Sequence, residues 1–426
     1  GVSCENEDIL RALEQAGARV NRAVSQVFFP RSLVTDFVDT LRSQGSTDPG
    51  NGHRLFSPPS LPSLGVQVAQ FFLDHETGLR RSGNKQDFIT LVKLGNVLHG
   101  AYGVGHALLL REAPPLLEPL EAALLLAEYA DRPSPAFAWH VSQAEYLAEM
   151  GEVLGLHDWY TWGAICFAHP LRFDKHVAER FVRCAREGRA TGLTAMPVAG
   201  ISTPITVEGF TVVSSAEHVA TWIAARALNP NVPLTGSQWA ATVDMKTGHV
   251  SYSSFDAMFY SFVSVEFLRR WCGLCLAVGG GEYCDAREPG LYAALEKAYK
   301  AMTVAAFTGQ HPSVGQGMLE VGKTLSPVQL MIERDLVSGI QQYGRTVDPS
   351  DDTIPMDTIL AVGSGWSANY LPTDHTLAHF RSSCWIPELI DRSGWKGPES
   401  EVQVVEAARS RVQQAVASYR RPEGRE

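Results

Sequence analysis

From about Gly95 onward, short apolar runs alternate with longer stretches in which apolar residues recur every three or four positions. Runs of the first kind predict buried parallel strands, and stretches of the second kind predict amphipathic helices. Strands are expected at Tyr102–His106, Ala136–Val141, Ala164–Ala168, Leu193–Val198, Pro233–Ser237, Leu274–Gly279 and Val304–Gly309, with an eighth for which Met356–Val362 is one candidate. Helices are expected at Leu116–Glu128, Lys175–Glu187, Ala216–Ala227, Asp256–Trp271, Leu291–Ala301 and Pro327–Tyr343. The chain opens on a further helix, with Ile9, Leu10, Leu13 and Ala16 at helical spacing and Gly17 placed to end it. Pro58, Pro59 and Pro62 mark a loop leading into the main body, and Ser400 to Ser418 forms a last amphipathic helix with Val402, Val405, Ala408 and Val412 on one face.

Repeating β/α units predict an α/β protein, either a closed (β/α)₈ barrel of the TIM type or an open doubly wound sheet. No G-x-G-x-x-G follows an early strand and no G-x-x-x-x-G-K-[ST] occurs, which favours the barrel. Residues 1–94 then form a helical lead-in packed on the barrel, 95–350 the barrel core and 351–426 a C-terminal helical extension, all one structural unit.

Composition narrows the partners. A formal charge of −10 without a Lys/Arg cluster argues against nucleic acid. No apolar run reaches transmembrane length. Seven cysteines scattered along a long chain suit a reducing cytoplasm rather than a disulfide framework. Oligomerisation with further copies is expected of barrels of this kind.

A barrel carries its active site at the C-terminal ends of its strands. Those ends supply His106, Trp139 with His140, Phe167 with His169, Gln238 with Trp239, Glu282 with Tyr283, and Gln310 with His311. Carboxylates are few, and no nucleophile–base pair stands out, so no catalytic residue is assigned. Aromatic faces attract cations by roughly 0.5–2 kcal/mol per contact. A cage of Trp139, Phe167, Trp239 and Tyr283 would suit a quaternary ammonium group, with His140, His169, Gln238 and His311 available to hydrogen-bond a carboxylate on the same substrate. Rim packing and satisfied core histidines are the ordinary alternative for each. Cys272 and Cys275 form a lone C-x-x-C whose second thiol falls in an expected strand, and Cys284 reads as an ordinary loop thiol. No closely spaced His/Cys set supports a metal site.

Several segments then carry a resemblance. "TAMPVAGISTPITVEGF" (Thr194–Phe210), "DMKTGHVSYSSFD" (Asp244–Asp256), "GMLEVGKTLSPVQLMIERDLVSG" (Gly317–Gly339) and "LPTDHTLAHFR" (Leu371–Arg381) resemble, in order and spacing, segments of the trimethylamine methyltransferase family. "LDHETGLRRSGNKQDF" (Leu73–Phe88) and "HPLRFD" (His169–Asp174) add earlier anchors. The resemblance implies a TIM-type barrel that moves an N-methyl group from a small quaternary or tertiary amine to the cob(I)alamin carried by a partner corrinoid protein. Family members that act on trimethylamine carry pyrrolysine near the stretch Gly281–Arg287. Here that stretch reads Gly-Glu-Tyr-Cys-Asp-Ala-Arg, which implies the pyrrolysine-lacking branch, whose known substrates include glycine betaine, proline betaine and carnitine. Glu282, Tyr283 and Cys284 depart from the small polar residues usual there. Glu282 near the substrate would favour choline or a methylated amine, and otherwise it turns away to pair with Arg287. A zinc-dependent thiol or alcohol methyltransferase and a non-catalytic quaternary-amine-binding barrel are the alternatives.

Overall fold

A computed structural model describes residues 1–44, 63–100, 103–279, 282–309, 314–365, 368–395 and 397–425. The protein is mixed α/β, with thirteen α-helices and five small sheets among the described residues. Its longest parallel ladder joins strands Thr191–Ala195, Leu234–Gln238 and Ala277–Val278, with Leu234–Gln238 in the middle. Leu234 lies opposite Thr191 and Gln238 opposite Ala195. Gly192 is required there, because a Cβ would lie 1.7 Å from the Thr235 carbonyl oxygen. Ala136–Phe137 and Tyr160–Thr161 form a second parallel pair, and single parallel bridges join Leu64 to Val104 and Val104 to Pro133. The Thr194 N–H donates to Ile165 O at 2.8 Å, and Gln316 reaches the backbone on either side of Leu64, accepting from Gly65 N and donating to Ser63 O.

Three of the connections pass through helices with a capped start. Asp174, Thr206 and Ser254 cap helices Lys175–Arg186, Val207–Leu228 and Phe255–Cys272 by accepting a first-turn N–H, and Gly273 at φ 75° ends the last of these. The opening helix is Glu7–Gln15. Its Ile9, Leu10 and Leu13 are buried in the same apolar cluster as Leu193 and Trp222, each burial stabilising by about 1.5–3 kcal/mol. Ala16 is exposed and caps that helix instead. At the other end, helix Ser400–Ser418 buries Ala408 and Val412 in a second cluster with residues of helices Lys85–His99 and Pro327–Ile340, while Val402 stays exposed.

Several expected strands differ. Val304–Gly309 is the last turn and cap of helix Leu291–Thr308, and Met356–Val362 is also a helix. Short apolar runs lack the length to separate the two periods, and in both cases the helical hydrogen bonds prevail. Ala136–Val141 shortens to Ala136–Phe137, because His140 caps a 3₁₀ turn at Val141–Gln143. Ala164–Ala168 is irregular although Ile165 still accepts a bond, and Val104 alone pairs within the described part of Tyr102–His106. Pro58, Pro59, Pro62 and Tyr102 lie outside the described residues.

Four antiparallel hairpins among the described residues escaped the pattern: Phe71–Leu73 with Arg80–Ser82, Ala241–Val243 with Val250–Ser251, Met318–Leu319 with Thr324–Leu325, and Arg19–Asn21 with Gln26–Phe28. The first two turn identically. Asp74 Oδ1 accepts from Glu76 N and Thr77 N, and Asp244 Oδ1 from Lys246 N and Thr247 N. The signal was a shared D-x-x-T-G, in which Asp closes the turn and Gly takes the left-handed residue, at φ 71° and 70°.

Candidate functional site

Period-2 alternation sorts the long ladder into two faces. Gln238 Oε1 accepts from Ser214 Oγ (2.7 Å) and lies 3.2 Å from His218 Nε2, both on helix Val207–Leu228, so Gln238 faces the helix layer. Ser237 and Trp239 therefore face the other way, with Trp239 Nε1 donating to Ser237 Oγ and Ser237 Oγ to Thr194 Oγ1, each at 3.2 Å.

On that face Trp239 meets Tyr283 edge-on, with ring centroids 4.8 Å apart, and Tyr252 also meets Tyr283 edge-on at 5.9 Å. Gln67 Nε2 donates to Tyr283 Oη at 2.8 Å, and Tyr252 Oη donates to Met196 O at 3.2 Å. Glycines make room for the rings: a Cβ on Gly279 would lie 2.2 Å from Trp239, and one on Gly322 would lie 2.0 Å from Tyr283. Burial pushes both phenols up to about 12, and the Cys166 thiol, coupled to both, up to about 11. All three groups are neutral at physiological pH, so the cluster offers π faces and dipoles but no anion and no thiolate nucleophile. Tyr252, Gln67 and Cys166 were missed by sequence reasoning. Tyr252 sat inside a quoted segment, but only the fold brings the residue after strand Val250–Ser251 to Tyr283.

Trp139 belongs to a separate group. It stacks on Phe137 at 5.3 Å, and its Nε1 donates to Glu118 Oε2 at 3.0 Å. His106 Nε2 lies 2.9 Å from Glu118 Oε1, which also accepts from Leu110 N. Burial pushes the Glu118 carboxyl up, but these hydrogen bonds outweigh it and hold it below the usual 4.5. A carboxyl depressed by folding stabilises the fold above its unfolded value and loses that contribution as pH falls through its folded value. Glu118→Gln is therefore expected to destabilise by about 1–3 kcal/mol at pH 7, with the gap to wild type shrinking below about pH 4. Urea unfolding at pH 7 and pH 3.5 checks this, and an equal gap at both would refute it.

The remaining expected site residues are dispersed. His169 Nδ1 lies 2.8 Å from Glu217 Oε2, and its Nε2 accepts from Met196 N at 2.9 Å, so both ring nitrogens are engaged within the fold. Phe167 packs with Phe173 and Phe181 in the core. His140 is half-buried and caps its 3₁₀ turn. Glu282 is buried, and its charge is felt by the buried Lys300 ammonium; Arg287 is exposed in an outer cleft with Asp244 and Asp256. Gln310 and His311 lie outside the described residues. Of the expected cage, the fold thus brings Trp239 and Tyr283 together and seats Trp139 and Phe167 among other partners. Sequence alternation alone could not show which way strand-end aromatics turn.

Cys272 ends a helix, and Cys275 lies beyond it in irregular chain before strand Ala277–Val278. Cys284 is fully buried, and burial pushes its thiol up to about 12, which makes it inert. Among the described residues no three His, Cys, Asp or Glu side chains group to hold a metal ion, and no helix is long and apolar enough to cross a membrane.

A parallel β/α scaffold that gathers neutral aromatic side chains around the ends of its strands is the class of site that comparison with known proteins makes specific. The family model described as trimethylamine methyltransferase (MTTB) matches residues 1–424, and the chain belongs to that family. It is 27% identical over 261 residues to trimethylamine methyltransferase MttB2 of Methanosarcina mazei, covering 61% of this chain and 51% of the relative. It is 26% identical over 229 residues to trimethylamine methyltransferase MttB of Desulfitobacterium hafniense, covering 54% and 45%. Glycine betaine methyltransferase of Desulfitobacterium hafniense is 24% identical over 252 residues, covering 59% and 52%. The chain thus spans about half the length of these curated relatives.

Proposed function

We propose that this protein removes a methyl group from a small quaternary ammonium compound held at Trp239, Tyr252 and Tyr283 and passes it to the cob(I)alamin of a corrinoid partner protein. The single observation that carries this reading is the aromatic trio, neutral and clustered around Tyr283 in the stretch where the family's trimethylamine branch departs from this sequence. Membership of the family and likeness to both a trimethylamine and a glycine betaine enzyme support it. We further propose that the parallel runs at 63–65, 103–108, 133–137, 160–165, 191–195, 234–238, 277–279 and 314–316 close into the (β/α)₈ ring expected from sequence. The links that join each run from 63–65 through 277–279 to the next, and the reach of Gln316 to Ser63 and Gly65, support that closure. Seven unpaired cysteines suit a cytoplasmic setting.

The acceptor cobalt supplies the nucleophile, and a quaternary nitrogen already carries the charge that makes it a leaving group. No general acid is then needed, which fits a trio without an ionisable group near neutrality. The positive charge on nitrogen falls during transfer, so a strongly anionic site would stabilise substrate more than transition state. Neutral π faces hold the cation only moderately. Tyr283, pinned by Gln67 and wedged against Gly322, fixes the direction in which a methyl points. Lys300 offsets the Glu282 charge nearby, which weakens the case for a substrate without its own carboxylate.

Incubation with cob(I)alamin, free or on a corrinoid protein, is expected to yield methylated cobalamin and the demethylated amine from glycine betaine, proline betaine, carnitine or choline, and little from trimethylamine. Binding without transfer across the panel would favour a silent amine-binding barrel. Transfer from thiols or alcohols with stoichiometric zinc would favour the zinc reading. Neither binding nor transfer would end the proposal.

A further inference from the structure

Lys300 is a buried cation beside the aromatic trio. It lies on helix Leu291–Thr308, is 2% exposed, and its Nζ donates to Tyr283 O at 3.1 Å and to Ser253 Oγ at 3.5 Å. Ser253 Oγ itself donates to Tyr283 O at 3.0 Å. The ammonium is thus held by a carbonyl and a hydroxyl, neither of which carries a charge to answer it. Two neighbours on the same helix face complete the hold. Glu296 accepts from Asp285 N and Ala286 N, each at 3.0 Å, and Tyr299 Oη donates to Ser253 O. A positive charge is therefore fixed at the peptide that carries the Tyr283 ring and against the residue that follows Tyr252.

The residue before Tyr283 brings the opposite charge. Glu282 is buried, and Lys300 feels its carboxylate. Alone, that carboxylate would strengthen binding of any cation at the rings. The ammonium opposes it. Unit charges roughly 8 Å apart in a poorly hydrated site still change affinity about tenfold or more. With both present the rings stand in a site of little net charge, which suits a ligand that is itself neutral overall.

We propose that Lys300 and Glu282 act as a matched pair beside the trio, Lys300 cancelling the carboxylate so that the site prefers a quaternary amine bearing its own carboxylate to a bare cation. This rests on the function proposed above and narrows its substrate class to zwitterionic betaines. The pair sets the field around the nitrogen without touching the substrate, so it determines specificity and takes no part in the transfer.

The unaltered protein supplies the first test. Burial pushes the Lys300 ammonium down to about 8, with Lys297 adding to the push and Glu282, Cys284 and Glu296 opposing it. Burial pushes Cys284, Tyr252 and Tyr283 up to about 12 and Tyr299 upward as well, Asp285 accepts from Ser251 Oγ, and Lys297 pairs with Glu333. Between pH 7 and pH 9 the loss near the rings is therefore the Lys300 charge. Calorimetry is expected to show affinity for tetramethylammonium rising about five- to tenfold relative to glycine betaine over that range. Lys300→Met is expected to show that gain already at pH 7 and to abolish the pH dependence. Lys300→Gln, which keeps a donor for Tyr283 O, serves if the methionine variant does not fold. Glu282→Gln is expected to move the ratio the other way, and the double variant to return it near wild type. A ratio of two ligands cancels any general loosening of the rings, which weakens both alike. If both ligands bind but the ratio ignores pH and both substitutions, the matched pair is refuted and the demethylation reading stands. Tighter wild-type binding of tetramethylammonium than of glycine betaine at pH 7 refutes it too. Binding of neither ligand would sink both readings.

Discussion

Replacing Tyr283 with alanine is expected to weaken binding of a quaternary ammonium by about 10- to 30-fold. Tyr283 is the ring that both Trp239 and Tyr252 touch, so its loss removes one π face and releases the other two. A cation contact with one face is worth roughly 0.5–2 kcal/mol, and about 1.4 kcal/mol is tenfold in affinity. Tyr283→Phe keeps the ring and deletes the hydrogen bond from Gln67, so a smaller loss, about three- to tenfold, is expected. Trp239→Ala is expected to match Tyr283→Ala. Titration calorimetry with tetramethylammonium and glycine betaine separates two contributions: tetramethylammonium reports the cage alone, and the difference between the ligands reports what the substrate carboxylate adds. If Tyr283→Ala binds both ligands as wild type does, the trio is core packing and the cation lies elsewhere.

The second large effect concerns stability. Lys297 and Glu333 are both fully buried and pair at 2.5 Å. Glu333 also accepts the Gly315 and Gly317 N–H groups, each at 3.0 Å, and so ties helix Pro327–Ile340 to helix Leu291–Thr308 and to the run that precedes Met318. Burying two charges is costly, and the pair stands only because each ion answers the other. Lys297→Met leaves the Glu333 carboxylate buried with two amide donors and no cation. A loss of about 3–5 kcal/mol is expected, read as a fall in urea midpoint at constant slope. Glu333→Leu strands both the ammonium and two amide groups and is expected to cost at least as much. The double variant Lys297→Met/Glu333→Leu is expected to lose clearly less than the sum of the single losses, because neither ion is then left alone. Strict additivity would mean the pair contributes nothing as a pair.

These two clusters show unequal legibility in the chain. Tyr283 and Trp239 could be suspected from sequence because aromatic residues at strand ends are conspicuous. Lys297 could not, since a lysine at helical spacing reads as a solvated face. Nothing local announces that Glu333, thirty-six positions on, will meet it. Several helices were legible because caps and the 3.6-residue period are local: Ser254 and Gly273 bracket Phe255–Cys272 within one residue of the expected span, whereas Val207–Leu228 begins nine residues before the expected Ala216 and Ala144–Val153 was not expected. Strands of two residues, such as Ala136–Phe137, were not, because so short a run carries no period. The apolar turn Val304–Gly309 was misread for the same reason.

By itself the order of residues determined most of the alternation of helix and extended chain between Ala136 and Val278, the buried face of both terminal helices and the family to which the chain belongs. Each of these depends on composition, on spacing along one element, or on motifs read in sequence. Tertiary structure alone decided that Phe167 and Trp139 pack away from Trp239, that Tyr252 replaces them beside Tyr283, that His169 has both nitrogens occupied, and that Gln238 faces a helix. Those outcomes turn on which side of a twisted ladder each side chain leaves, and on partners dozens of residues away. A side chain's neighbours across space are set by strand register and helix docking, which no local pattern encodes.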